Sequence, residues 1–301
     1  MDDRPVKPPI RAMIVGAQKA GTTSWLRYLA QHPGIGVPTT PEIGFFINDS
    51  EYIQGYGRAF ARYFSASAAA QPLLLAKSAW MMCSLPAMER LRQHNPAVHV
   101  LVSLRHPVER AYSAYWYARR RGWEDLESFE AAVQANPGRL TNDPSRQRNC
   151  AYLDSSTYVK HLANLWACFG RGQVHVFLLE ELQEDARRVC QQVFALFPEL
   201  DATFVPEVGR HHNPPAMHHS RILAHLLSTR SALPGWKRLA RRWLSRTLLD
   251  KARHTLRQIN EKEFTPPPLR PETRAWLLDY FRPFNAQLAE LLSRDLSNWD
   301  R

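Results

Sequence analysis

MIVGAQKAGTTSWLRYL, residues 13–29, joins an apolar run to an amphipathic one through a turn of small and hydroxyl residues. The lead-in, IRAMIVGA (10–17), is almost continuously apolar, as a strand buried on both faces would be. After the turn, Trp25, Leu26 and Leu29 recur at helical spacing, and the segment stops before Pro33. In such a strand–turn–helix unit the unpaired N–H groups of the helix start converge on one point, and the helix dipole adds positive potential there. Gly16 and Gly21 let the backbone come close, Thr22, Thr23 and Ser24 bring hydroxyl donors, and Lys19 brings a point charge. The turn suits one phosphate.

It is not a Walker A loop. That motif has four residues between its glycines and ends in Gly-Lys-Ser/Thr, whereas here the lysine precedes the second glycine and no hydroxyl follows it directly. The next apolar runs, QPLLLAKS (71–78) and AVHVLVSLRHP (97–107), end in cations rather than in the carboxylate that a metal-dependent triphosphate site requires. LPAMERLRQHNP (85–96) between them reads as a helix, GQVHVFLLEEL (172–182) as a fourth strand, and EDARRVCQQVFALFP (184–198) as a further helix. Strands alternating with helices imply βαβ units around a mostly parallel sheet. The expectation is a P-loop-like single α/β domain over 1–301, with a nucleotide-binding core at 10–200 and helical elaboration at 210–301.

A second strand–turn–helix unit, LVSLRHPVERAYSAYW (101–116), puts Arg105 at a strand end and Ser113 two helical turns later. An arginine fork and a serine hydroxyl at the carboxyl edge of the sheet suit a second phosphate. Two cradles on adjacent strands point to a nucleotide phosphorylated at two separate places.

The chain has 301 residues, 45% of them hydrophobic, and a formal charge of +11, which favours an anionic partner. Nucleic acid, anionic lipid, acidic glycan and polyphosphorylated nucleotide all satisfy charge alone. Cys83, Cys150, Cys168 and Cys190 have no disulfide or zinc spacing. The polar, proline-broken start and the lack of an apolar run of about 20 residues lead to the expectation of a cytoplasmic protein. His211, His212, His218 and His219 straddle no rigid face that would hold a metal. GWKRLARRWLSRTLLDKARHTLRQIN (235–260) reads as a basic amphipathic helix, a candidate for peripheral contact with an anionic membrane or for guiding an anionic acceptor.

GAQKAGTTSWLRYL (16–29) resembles the 5′-phosphosulfate loop of the sulfotransferases that use 3′-phosphoadenosine 5′-phosphosulfate (PAPS), and LRHPVERAYSAY (104–115) resembles their 3′-phosphate motif. PEIGFF (41–46), AKSAWM (76–81), YVKHLANLWACF (158–169) and VHVFLLEEL (174–182) extend the likeness, in order, to the carbohydrate and bacterial branch that includes heparan sulfate sulfotransferase domains. The resemblance implies that Lys19 contacts the bridging oxygen of the donor and that Gly16, Ala20, Gly21, Thr22, Thr23 and Ser24 cradle its 5′-phosphate. It further implies that Arg105 and Ser113 grip the 3′-phosphate, that Glu42 is the catalytic base, and that Lys77 sits beside the sulfuryl group. Pro41 and Gly44 depart from the family's usual lysine and histidine, and Leu165-Trp166 inverts its usual order. GRHHNPPAMHHSR (209–221) stands where the family completes the 3′-phosphate site, with Arg210, Asn213 and Arg221 as candidates.

The implied chemistry is in-line sulfuryl transfer from PAPS, without a metal, to a hydroxyl or amine of a small-molecule, glycan or glycolipid-like acceptor. Tyr52, Tyr56, Tyr63, Trp80, Trp116, Tyr117 and Trp123 are either acceptor-pocket or core aromatics. Two other readings stand beside it: a P-loop kinase or other NTPase, and a non-enzymatic protein that binds nucleic acid or an anionic membrane. The two phosphate cradles have no place in the latter, which argues against a nucleic-acid partner. Oligomeric state leaves no signature in the sequence.

Overall fold

A computed structural model of the chain describes residues 7–135, 149–209 and 265–301, with two short strands at 216–218 and 261–263. The described chain divides into two compact units, one of residues 1–110, 154–211 and 276–301, the other of 111–153 and 212–275.

The first unit is built on β1 (Ala12–Gly16), which is buried throughout. It runs parallel to β3 (Leu73–Lys77) on one side, with Ala12 opposite Leu75 and Ile14 opposite Lys77. On the other side it runs parallel to β4 (His99–Leu104). The two-residue β2 (Ile35–Gly36) and β5 (Val174–Leu178) complete a five-stranded parallel sheet in the order β2-β3-β1-β4-β5. This confirms an α/β fold on a parallel sheet and adds β2, which is too short to show any periodicity.

Alternation along β1 supplies both faces of the sheet. Ala12 and Ile14 enter one core with Trp25, Leu26 and Leu29 of α1 (Thr22–Leu29), and Trp25 meets Phe177 edge-on at 5.1 Å. Met13 and Val15 enter the other core, with Phe60 of the short helix Tyr56–Tyr63, Met88 and Leu91 of the helix Leu85–His94, and Leu162 and Leu165 of the helix Tyr158–Phe169. The helix Leu179–Phe194 lines the α1 face through Leu182, Val189 and Val193.

One boundary differs from the sequence reading. VHVFLLEEL does not end a strand in acids: β5 stops at Leu178, and Glu180 and Glu181 lie in the first turn of the next helix. The Glu181 carboxylate there accepts the Leu178 N–H at 2.7 Å, and both acids complement the helix dipole.

The second unit holds Ala111–Arg120 of the helix Pro107–Arg120, the helix Phe129–Gln134, and the antiparallel pair Ala216–His218 and Glu261–Glu263. Tyr115 donates to the carbonyls of Leu126 (3.1 Å) and Glu127 (2.6 Å), and Tyr152 donates to Glu124 at 2.8 Å. Residues 219–260, with the basic segment 235–260, lie outside the described residues. Residues 276–292 of the helix Pro271–Leu292 belong to the first unit, where Leu288 joins the core.

Candidate active site

The turn between β1 and α1 leaves the carboxyl edge of the sheet where neighbouring connections diverge, the place where open α/β sheets bind ligands. Gly21 caps α1 with φ +75°, and a Cβ there would stand 2.6 Å from Leu179 Cδ1. Lys19 also takes a left-handed φ of 72°. A side chain at Gly16 would run into Met82.

The turn is held from the β4 side. The Ala17 N–H donates to the Ser103 carbonyl at 2.7 Å, Ser103 Oγ donates to the Ala20 carbonyl at 2.6 Å, and Arg105 Nη1 donates to the Lys19 carbonyl at 3.3 Å. Two carbonyls are thereby drawn to one side. At the helix start the first-turn N–H groups lack intrahelical acceptors, and neither a capping side chain nor a first-turn acid answers them. Such an end favours an anion.

Lys77, the last residue of β3, has only 1% of its side chain exposed and forms an ion pair with Glu42 Oε1. Its Nζ also donates to Thr23 Oγ1 at 3.2 Å. Glu42 Oε2 accepts the Ala79 N–H at 3.0 Å, while 45% of the Glu42 side chain remains exposed. The Ile43 N–H donates to the Lys77 carbonyl at 2.9 Å, which fastens the Glu42 segment to the strand end. The Gly44 N–H then donates to Tyr63 Oη at 3.1 Å, and Tyr63 donates to Glu51 at 2.6 Å. A Cβ at Gly44 would meet the ends of the Asn48 and Glu51 side chains.

Arg105, one residue past β4, adds to its bond with the turn an ion pair to Glu109 at 3.6 Å. Tyr158 donates to the Arg105 carbonyl at 2.8 Å, and burial pushes its phenol up. The tyrosine that starts its helix is therefore a brace for Arg105. Ser113 lies on the helix Pro107–Arg120, within the share of it that belongs to the second unit.

The structure thus brings together Lys19, the 20–24 segment, Glu42, Lys77 and Arg105 in the first unit. Arg210, Asn213, Arg221 and His211, His212 and His219 lie outside the described residues. Tyr52, Tyr56 and Tyr63 pack with the core; Tyr56 donates to the Pro8 carbonyl at 2.9 Å and Tyr52 sits 5.3 Å from Phe45. Tyr117 and Trp123 pair at 5.6 Å in the second unit. Ser103 escaped sequence reasoning, although a lone hydroxyl inside an apolar strand was its signal. Among the described residues no cluster of three or more His, Cys, Asp or Glu side chains is arranged to hold a metal, and no helix is long and apolar enough to cross a membrane.

The family model described as "Sulfotransferase domain" matches residues 9–209. The human bifunctional heparan sulfate N-deacetylase/N-sulfotransferase 3 is 25% identical over 300 residues, covering 96% of this chain and 31% of its own length. Human heparan sulfate glucosamine 3-O-sulfotransferase 5 is 30% identical over 172 residues, covering 55% of this chain and 46% of its own length. The chain therefore spans about a third to a half of the length of these curated relatives. Among solved structures, a sulfotransferase from Alicyclobacillus acidocaldarius shares the fold with a TM-score of 0.66 at 24% identity, over 98% of this chain and 100% of that one.

Proposed function

The chain belongs to the sulfotransferase family, and we propose that it transfers a sulfuryl group from PAPS to a hydroxyl or amine of a glycan-type acceptor. The observation that carries this reading is the meeting of Thr23, Lys77 and Glu42, from three separate segments, beside a helix start without an acid of its own. The donor set fits a polyanion: backbone N–H groups, three hydroxyls and the cations Lys19, Lys77 and Arg105, with one partly exposed carboxylate. A cation ends β3 (Lys77) and another follows β4 by one residue (Arg105), which favours this donor over a magnesium-held triphosphate.

When bound, PAPS supplies an activated sulfuryl group whose bond to the 5′-phosphate oxygen breaks in line with attack. Gly21, Thr22, Thr23 and Ser24 hold the 5′-phosphate, and Lys19 neutralises charge that grows on the bridging oxygen. Arg105 and Ser113 take the 3′-phosphate. Glu42 receives the acceptor's proton on a carboxylate oxygen by giving up its contact with Lys77 or with the Ala79 N–H. Lys77 balances that carboxylate beforehand and turns its charge to the sulfuryl oxygens. The N- and O-sulfotransferase names of the relatives, with the +11 charge, support an acidic glycan that offers an amine or a hydroxyl.

The test is thermal stabilisation in the absence of magnesium. Adenosine 3′,5′-bisphosphate at about 100 times its Kd is expected to stabilise the protein by about 2.7 kcal/mol, with AMP well behind. Greater stabilisation by ATP–magnesium or by duplex DNA would overturn the reading.

A further inference from the structure

Trp299 stands on the short turn Ser297–Asp300 and is fully buried within the first unit. Its indole Nε1 donates at 3.1 Å to Glu180 Oε1, in the first turn of the helix Leu179–Phe194. The other oxygen of that carboxylate is buried with no hydrogen-bond partner among the described residues. The chain leading to the turn is fastened to the same strand–helix junction. Arg294 pairs with Glu181 at 3.1 Å and donates to the Val176 carbonyl at 3.0 Å, and Asn285 donates to Asp300 Oδ1 at 3.1 Å. The Trp299 ring lies 6.1 Å from that of Tyr158 and 6.3 Å from that of His106, within the range of packed aromatic pairs. Tyr158 donates to the Arg105 carbonyl, and His106 follows Arg105 in the chain. One buried ring therefore packs on both groups that fix the Arg105 backbone.

We propose that Trp299, held by Glu180, is a positioning residue for recognition of the donor's 3′-phosphate. The inference rests on the reading in which Arg105 receives that phosphate. A guanidinium recognises a phosphate through directed N–H bonds, which need its carrier held to within about 0.5 Å. The Arg105 side chain is steadied by the Lys19 carbonyl, and its main chain by Tyr158. Trp299 wedges Tyr158 in place, and the bond to Glu180 fixes the rotation of the indole. Without that ring the Tyr158 phenol is free to leave the Arg105 carbonyl, and the fork loses its aim. Leu179, the neighbour of Glu180, stands over Gly21, so a disturbance at this junction can also reach the 5′-phosphate cradle. A nucleotide that lacks the 3′-phosphate separates the two effects.

Calorimetry on the full chain compares adenosine 3′,5′-bisphosphate with AMP, which keeps only the 5′-phosphate. The parent is expected to prefer the bisphosphate by at least about tenfold, the scale of a charged hydrogen bond. Trp299→Leu, checked for folding by circular dichroism, should shrink that preference by about fivefold while AMP affinity stays within about twofold. Loss of folded protein weakens both nucleotides by one factor and leaves their ratio alone. Glu180→Ala and Glu180→Gln both remove the charge, but only glutamine keeps an oxygen acceptor for the indole. The preference of Glu180→Ala should therefore fall about fivefold below that of Glu180→Gln. Glu180 is only partly buried, so this pair decides the matter if Trp299→Leu does not fold. A parental ratio in folded Trp299→Leu, or equal ratios in the two Glu180 variants, overturns the positioning role. Equal affinity of the parent for the two nucleotides overturns instead the donor reading, and this inference with it.

Discussion

Lys77 holds an ammonium in a nearly closed site because Glu42 and Thr23 meet it there; an unpartnered charge would cost far more to bury. The same contacts set the roles proposed for it and for Glu42. Glu42→Gln keeps size and a carbonyl acceptor for the Ala79 N–H but removes the proton acceptor. It is expected to bind adenosine 3′,5′-bisphosphate as the parent does while turnover falls by about 10²–10⁴. Lys77→Met keeps the apolar stem and should cost less than about 1.5 kcal/mol of stability, since solvent reaches Glu42, while it lowers kcat. Calorimetry and steady-state rates on both variants check these outcomes, and undiminished turnover in Glu42→Gln would place the base elsewhere. Lys19, Thr23 and Arg105 were legible from the order of cation, glycine and hydroxyl around an apolar strand. The bond from Ser103 to the Ala20 carbonyl was not, because a serine within VLVSL shows no partner until β4 is laid beside β1.

The helix Leu85–His94 ends in an imidazole that only its neutral form can fill. His94 Nε2 accepts the Ile10 N–H at 3.1 Å, and the ring lies 4.2 Å from Tyr56 and 5.4 Å from Phe46. Burial pushes its pKa down to about 4, and burial followed by the charge of His99 does the same for His175 on β5. An unfolded imidazole near 6.5 takes up protons that the folded one refuses, so stability is complete above pH 6.5 and is lost as pH falls toward 4. Each histidine contributes a slope of up to about 1.4 kcal/mol per pH unit in that window, less where water reaches the ring. His94→Gln retains an acceptor for Ile10, and its urea midpoint should fall less between pH 6.5 and 4.5 than the parent's. Equal falls would contradict the assignment. The strands beginning at Ala12, Leu73 and His99 were legible because sustained apolar runs need two covered faces. The start of the helix at Leu179 was hidden because LLEEL continues the apolar run of β5, and its first-turn acids fit a strand end equally well by composition.

In the first unit, the order β2-β3-β1-β4-β5 sets β1 between β3 and β4, so Lys77, which ends β3, and Arg105, one residue past β4, follow strands on opposite sides of β1. That placement comes from crossover topology, which no local pattern in the chain displays; the motifs indicated which residues belong together, and the sheet explains how they meet. The match over residues 9–209 and the shared fold of the bacterial sulfotransferase are consistent with this frame. The most direct measurement is transfer of labelled sulfonate from PAPS, in excess chelator, to a panel of glycan hydroxyl and amine acceptors. The account predicts labelled acceptor and adenosine 3′,5′-bisphosphate in equal amounts from the parent, with Lys19→Ala and Glu42→Gln losing most of both. Phosphoryl transfer from ATP–magnesium in place of PAPS turnover, or sulfonate transfer that persists undiminished in both variants, would contradict it.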